Sequence, residues 1–116
     1  MRVAAALSTS GHVIEVIDTL DTEGNVVTFF DKGQVAAWIS HGDQDPTVSL
    51  SSGQGSRDHW ATANHCTTVT MPTEPSPCVA YQGCDSGLPV HWCVFPGGHT
   101  QPSFGSAAIW SFFSQF

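Results

Sequence analysis

Val90-His91-Trp92-Cys93-Val94-Phe95-Pro96-Gly97-Gly98-His99-Thr100 is the stretch on which the reading of the fold turns. Its β-branched and aromatic residues alternate with others as a strand requires, and Pro96-Gly97-Gly98 ends it in a sharp exit. An imidazole, His99, therefore stands at a strand's carboxyl end. Upstream, Gln34 to Ser40 reads as a second, wholly buried strand that runs directly into His41-Gly42-Asp43-Gln44-Asp45-Pro46-Thr47-Val48. Loops past the carboxyl ends of strands are where open α/β sheets place their ligand sites.

Between these strands, Ser51 to Asn64 fits a helix that starts at a Ser-Ser-Gly turn, ends before Cys66 and turns Trp60 inward. Cys66 to Pro77, rich in Thr and Pro, reads as an irregular connection. Val79 to Gln82 reads as a short strand and Gly83 to Leu88 as a turn. Beyond His99, the residues Ile109, Phe112, Phe113 and Phe116 recur on one helix face, with Ser103 or Ser106 as N-cap. Towards the start, Val3 to Leu7 is a continuous apolar run, expected as a buried strand of a parallel sheet. Gly11 to Lys32 fits a helix followed by a strand, a hairpin or a lid-like insertion. The whole is an α/β layer architecture with two or three parallel strands and a covering terminal helix.

Composition excludes several partners. The chain has 116 residues, only 11% of them charged, and a net charge of -7. Its cations are Arg2, Lys32 and Arg57, too few and too scattered for a phosphate backbone or an anionic membrane. No apolar run approaches a membrane span. The abundance of Ser, Thr, Gly, Pro and Trp fits a secreted hydrolase or a carbohydrate-associated protein.

All four cysteines, Cys66, Cys78, Cys84 and Cys93, lie in the second half amid turn-forming residues. An even, clustered set with no C-x-x-C spacing points to two disulfides and an oxidising, extracellular setting rather than to zinc. Sequence does not choose among the three pairings. The expectation is Cys78 with Cys84 and Cys66 with Cys93, because the first pair closes a short turn. The run Met1 to Leu7 stops too soon for a secretory signal. Beside this cysteine pattern, its brevity implies a portion of a longer protein.

The two loops present Asp45 and then His99, a carboxylate followed by an imidazole that it could orient. That is the logic of a Ser-His-Asp triad, whose α/β-hydrolase chain order is nucleophile, acid, histidine. Here a resemblance becomes visible. His41 to Val48 is similar to the H-G-x-x-D-x-x-V acid loop of α/β-hydrolases, and Gly97-Gly98-His99-Thr100 to their histidine loop. Asn64-His65-Cys66, Tyr81-Gln82-Gly83-Cys84, Gly87-Leu88-Pro89-Val90, Trp92-Cys93 and Ile109 to Phe113 resemble the C-terminal part of secreted feruloyl esterases and the related polyhydroxybutyrate-depolymerase-like esterases. The resemblance covers Val35 to Phe116 well, Val3 to Ser10 weakly and Gly11 to Lys32 hardly at all. It implies that Asp45 is the triad acid, preferred over Asp43 because the acid follows the motif's glycine by three positions, and that His99 is the general base.

The sequence contains no G-x-S-x-G. The resemblance then implies that residues 1 to 116 form part of an α/β-hydrolase domain, with the nucleophile elbow and oxyanion-hole loop upstream. It implies an ester hydrolase for feruloyl or acetyl esters of plant xylan, with no cofactor. On this reading the chain is inactive alone and relies on its missing half, or on self-association, for stability. Two other readings compete with it. His41, Asp43, Asp45, His59 and His65 have metal-ligating chemistry, although the spacing of His59 and His65 puts them on different helix faces. A non-catalytic carbohydrate-binding or interaction module would use Trp38, Trp60, Trp92 and Trp110 as platforms, but Trp38, Trp92 and Trp110 fall in expected core elements. His12, His59, His65 and His91 have no partner that the sequence names.

Overall fold

The computed structural model describes residues 2–6, 14–17 and 34–116, with side chains from 34 onward. At its centre is β3 (Ala36–Gly42), all seven residues of which are buried. Its apolar run is continuous because both faces are covered. Ala36 and Trp38 pack on one side with Ala108, Phe112 and Phe113 of α2 (Gly105–Phe113). Ala37 and Ile39 pack on the other with Trp60 of α1 (Leu50–Ala63). Successive strand residues face opposite ways, so the two helices cover opposite faces of the sheet.

The sheet runs β2 (Ile14–Ile17), β1 (Arg2–Ala6), β3, β6 (Val90–Phe95), β5 (Val79–Tyr81), β4 (Thr70–Pro72). It is mixed: β3 and β6 are parallel, and every other neighbouring pair is antiparallel. The expected parallel partner near the start is therefore corrected, since β1 lies antiparallel to β3. An apolar run reports that a strand is covered, not which way it points. Within Gly11 to Lys32, β2 pairs antiparallel with β1. The rest of Gly11 to Lys32, His12 included, lies outside the described residues.

The region expected to be irregular contains β4, whose three residues are exposed. No burial alternation marks it, so its pattern in the sequence is silent. α1 begins at Leu50 with Ser49 as N-cap, which places the Ser51-Ser52-Gly53 turn signal inside the helix. His65, at φ 55°, ends the helix by entering the left-handed region, and the Cys66 N–H returns to the Ala61 carbonyl. α2 is preceded by Phe104 rather than capped by Ser103 or Ser106. Ser106 lies within its first turn, accepting a hydrogen bond from Gln101 Nε2 at 2.9 Å. Ile109 and Phe116 are partly buried against the cluster that Phe112 and Phe113 fill.

The disulfides are Cys66–Cys84 and Cys78–Cys93, not the expected pairs. Strand β5 leaves directly from Cys78, and its three extended residues at about 3.3 Å each lead the chain away from that cysteine instead of turning back at once to close a short loop. Cys78 instead continues the antiparallel register that sets Val79 opposite Trp92, which puts it opposite Cys93. Trp38, Trp60 and Trp92 are buried, but Trp110 is 75% exposed on the outer face of α2, against the expectation of a core role.

At the edge opposite the β3 and β6 carboxyl ends, the fully buried Asn64 gives Nδ2 hydrogen bonds to the carbonyls of Val35 (2.6 Å) and Leu88 (3.0 Å). One amide thus joins the start of β3 to the approach of β6. Asn64→Ala strands both buried carbonyls and is expected to cost about 2 to 3 kcal/mol. A denaturation midpoint equal to the unmutated chain's would show that Asn64 does not join them.

Candidate functional site

Because β3 and β6 are parallel and in register at Gly42 and Phe95, their carboxyl ends reach the same edge together. The two exit loops then continue the pairing. The Asp43 N–H donates to the Phe95 carbonyl (3.0 Å), and the Gln44 N–H to the Gly97 carbonyl (2.8 Å). The Gly97 N–H returns a bond to Asp43 Oδ1 (3.3 Å). Gly42 lets the loops close, since a Cβ there would overlap the carbonyl oxygens of Gly97 and Gly98.

The closed loops set His99 Nδ1 2.9 Å from Asp45 Oδ2. The Asp45 side chain is 2% exposed and that of His99 47%. Asp45 Oδ1 accepts the N–H groups of Thr47 (2.8 Å) and Val48 (2.9 Å), which fixes the plane of the carboxylate. Burial works to raise the Asp45 pKa, but the Val48 N–H, His99 and the Thr47 N–H favour the ionised form and hold it down at about 2. An ionised carboxylate can only accept, so His99 Nδ1 carries the proton and Nε2 is left with its lone pair when the ring is neutral.

Asp43, the competing carboxylate, is engaged with the Gly97 backbone. It ties the histidine loop down. The five residues of the metal reading do not converge, and among the described residues no group of three or more His, Cys, Asp or Glu could hold a metal ion. His41 is buried beside Asp45, and the His59 ring stacks edge-on against Trp60. His65, for which the sequence offers no partner, pairs with Asp85 (Nδ1 to Oδ2, 2.6 Å). The only signal that could have found this pair is the disulfide itself, because Cys66–Cys84 joins the residues next to each member. His91 packs on the Phe112 ring, and burial lowers its pKa.

The sequence also gave no sign of what His41 does. It is the sixth residue of β3, and its Nε2 lies 3.1 Å from the Val48 carbonyl oxygen and 3.8 Å from Asp45 Oδ2. A strand assigned only as far as Ser40 hides it. Carried two residues further, the same run would have placed His41 in the core.

Two disulfides fit an extracellular protein. Among the described residues no helix is long and apolar enough to cross a membrane.

No family model matches the chain. It is 30% identical over 95 residues to feruloyl esterase D of Neurospora crassa, an alignment that takes in 71% of this chain. The same alignment takes in 33% of the relative, so the chain spans about a third of that protein's length. The fold is thus a small mixed α/β sheet between two helices, with a hydrogen-bonded Asp45–His99 pair at one edge and similarity to part of a feruloyl esterase.

Proposed function

We propose that this chain is the acid-and-histidine portion of a secreted, feruloyl-esterase-like α/β-hydrolase. Such an enzyme would cleave feruloyl or acetyl esters of plant xylan. The observation that carries the reading is the hydrogen bond between His99 Nδ1 and a nearly inaccessible Asp45 carboxylate at the end of two parallel strands. The similarity to feruloyl esterase D supports the substrate class.

In this reading His99 Nε2 takes the proton of a serine hydroxyl supplied by a G-x-S-x-G segment outside these 116 residues. The serine oxygen adds to the ester carbonyl. His99 then passes the proton to the departing alcohol, leaving an acyl-enzyme. A water deprotonated by the same nitrogen attacks the acyl carbon, and the returning proton frees the serine. Asp45 holds the ring in the tautomer that can accept and stabilises the imidazolium formed at each transfer. Preorganised donors for the oxyanion belong to the nucleophile-bearing segment as well.

The test is a graft in which this chain replaces the segment of feruloyl esterase D that it aligns with, assayed on methyl ferulate. Hydrolysis is expected, with at least a roughly 10³-fold loss on His99→Ala, while the chain alone is expected to be inert. A folded graft without activity, or one indifferent to His99→Ala, would sink the reading.

A further inference from the structure

The residue behind the acid is as constrained as the acid itself. The His41 side chain is wholly buried, and α1 closes over it at Gly53, where a Cβ would stand 2.7 Å from His41 Nδ1. That helix position is open to no other residue without moving the imidazole. The two ring nitrogens have unequal surroundings. Nε2 is within hydrogen-bond distance of the Val48 carbonyl, which can only accept, so Nε2 carries a proton. Nδ1 is buried with no partner among the described residues. A bare lone pair there is tolerable, but a second N–H would be a buried donor with nothing to bond. Burial likewise lowers the His41 pKa, against the opposing effect of the Val48 bond. His41 is therefore a neutral ring with its proton on Nε2.

Val48 is the residue through which this reaches the site. Its N–H bonds Asp45 Oδ1 while its carbonyl is held by His41. We propose that His41 is a positioning residue for the acid: by pinning Val48 to the end of β3 it sets the plane in which Asp45 offers Oδ2 to His99. Neutrality matters to the arrangement. At 3.8 Å the His41 Nε2 lies beyond hydrogen-bond range of Asp45 Oδ2, and a cation there would compete with His99 for the carboxylate. The inference rests on the esterase reading for its meaning but not for its test, which uses the 116-residue chain and needs no turnover.

Nitrogen NMR of the unmutated chain should show His41 as a single neutral tautomer, protonated on Nε2 and bare on Nδ1, across neutral pH. Carbon NMR of the carboxyls then follows Asp45, which titrates at about 2. In His41→Gln the side-chain amide can still donate to Val48, and the Asp45 midpoint is expected to stay low. In His41→Leu the donor is gone. There the Asp45 midpoint is expected to climb toward the ordinary 3.8, and the hydrogen-bonded His99 Nδ1 proton signal to disappear, with both disulfides and cooperative unfolding retained. A proton on Nδ1 of His41 would overturn the proposal without any variant. A folded His41→Leu chain whose Asp45 still titrates at about 2 would also overturn it. If the graft hydrolyses methyl ferulate while His41 carries its proton on Nδ1, the esterase reading stands and this one falls.

Discussion

Asp45→Asn in the grafted esterase is expected to lower kcat/KM for methyl ferulate by roughly 10⁴-fold while leaving the fold intact. The asparagine Oδ1 can still accept the Thr47 and Val48 N–H groups that anchor the loop. Its Nδ2, facing His99, is a donor where the carboxylate was an acceptor. His99 would have to turn a bare Nδ1 toward it and carry its proton on Nε2, which removes the lone pair that should receive the serine proton. The loss should therefore fall on kcat more than on KM. The same substitution should flatten acid unfolding. The Asp45 pKa is about 2 in the fold against an ordinary 3.8, so its contribution is fully present above 3.8 and is withdrawn as pH falls toward 2. The shift corresponds to about 2 kcal/mol. An Asp45→Asn graft that keeps most of its activity would show that Asp45 is not the acid, and Asp43→Asn should then be tried.

Gly42→Ala is expected to be the most damaging added methyl among the described glycines, costing about 3 kcal/mol or more. The added Cβ would fall on the carbonyl oxygens of Gly97 and Gly98 and 2.8 Å from the Gly97 carbonyl carbon. All three are backbone atoms, so no rotamer can relieve the overlap. Relief requires the histidine loop to move away from the acid loop, which breaks the Gln44 to Gly97 hydrogen bond and separates Asp45 from His99. Thermal unfolding would measure the first effect, and loss of the hydrogen-bonded His99 proton signal the second. A variant with an unchanged midpoint and an intact signal would mean that the two loops are not packed as described.

Much of what surrounds the site can be read from residue pattern. The apolar run that becomes β3, the alternation of β6 and the spaced aromatics of α2 each report burial directly, and burial is what those elements have in common. The Asp45–His99 pairing was readable only through the resemblance of two loops, because nothing in spacing alone distinguishes Asp45 from Asp43. Features set by contacts between distant segments were not legible. The direction of β1, the partner of each cysteine and the exposure of Trp110 depend on which strand lies beside which. Asn64 and His41 are the clearest cases. Each is a buried polar side chain whose identity matters only because particular carbonyls come within reach, and a polar residue in sequence reads as surface until those carbonyls are placed.

The two disulfides touch neither catalytic candidate, yet they alter the connectivity between them. Asp45 and His99 are 54 residues apart along the backbone. The rings closed by Cys66–Cys84 and Cys78–Cys93 overlap in sequence, so a covalent route now passes from one bridge to the next. That route takes roughly three-fifths as many residues, which trims the entropy of bringing the two loops together by about half a kcal/mol. Oxidation thus shortens the tether between Asp45 and His99 before either has found the other.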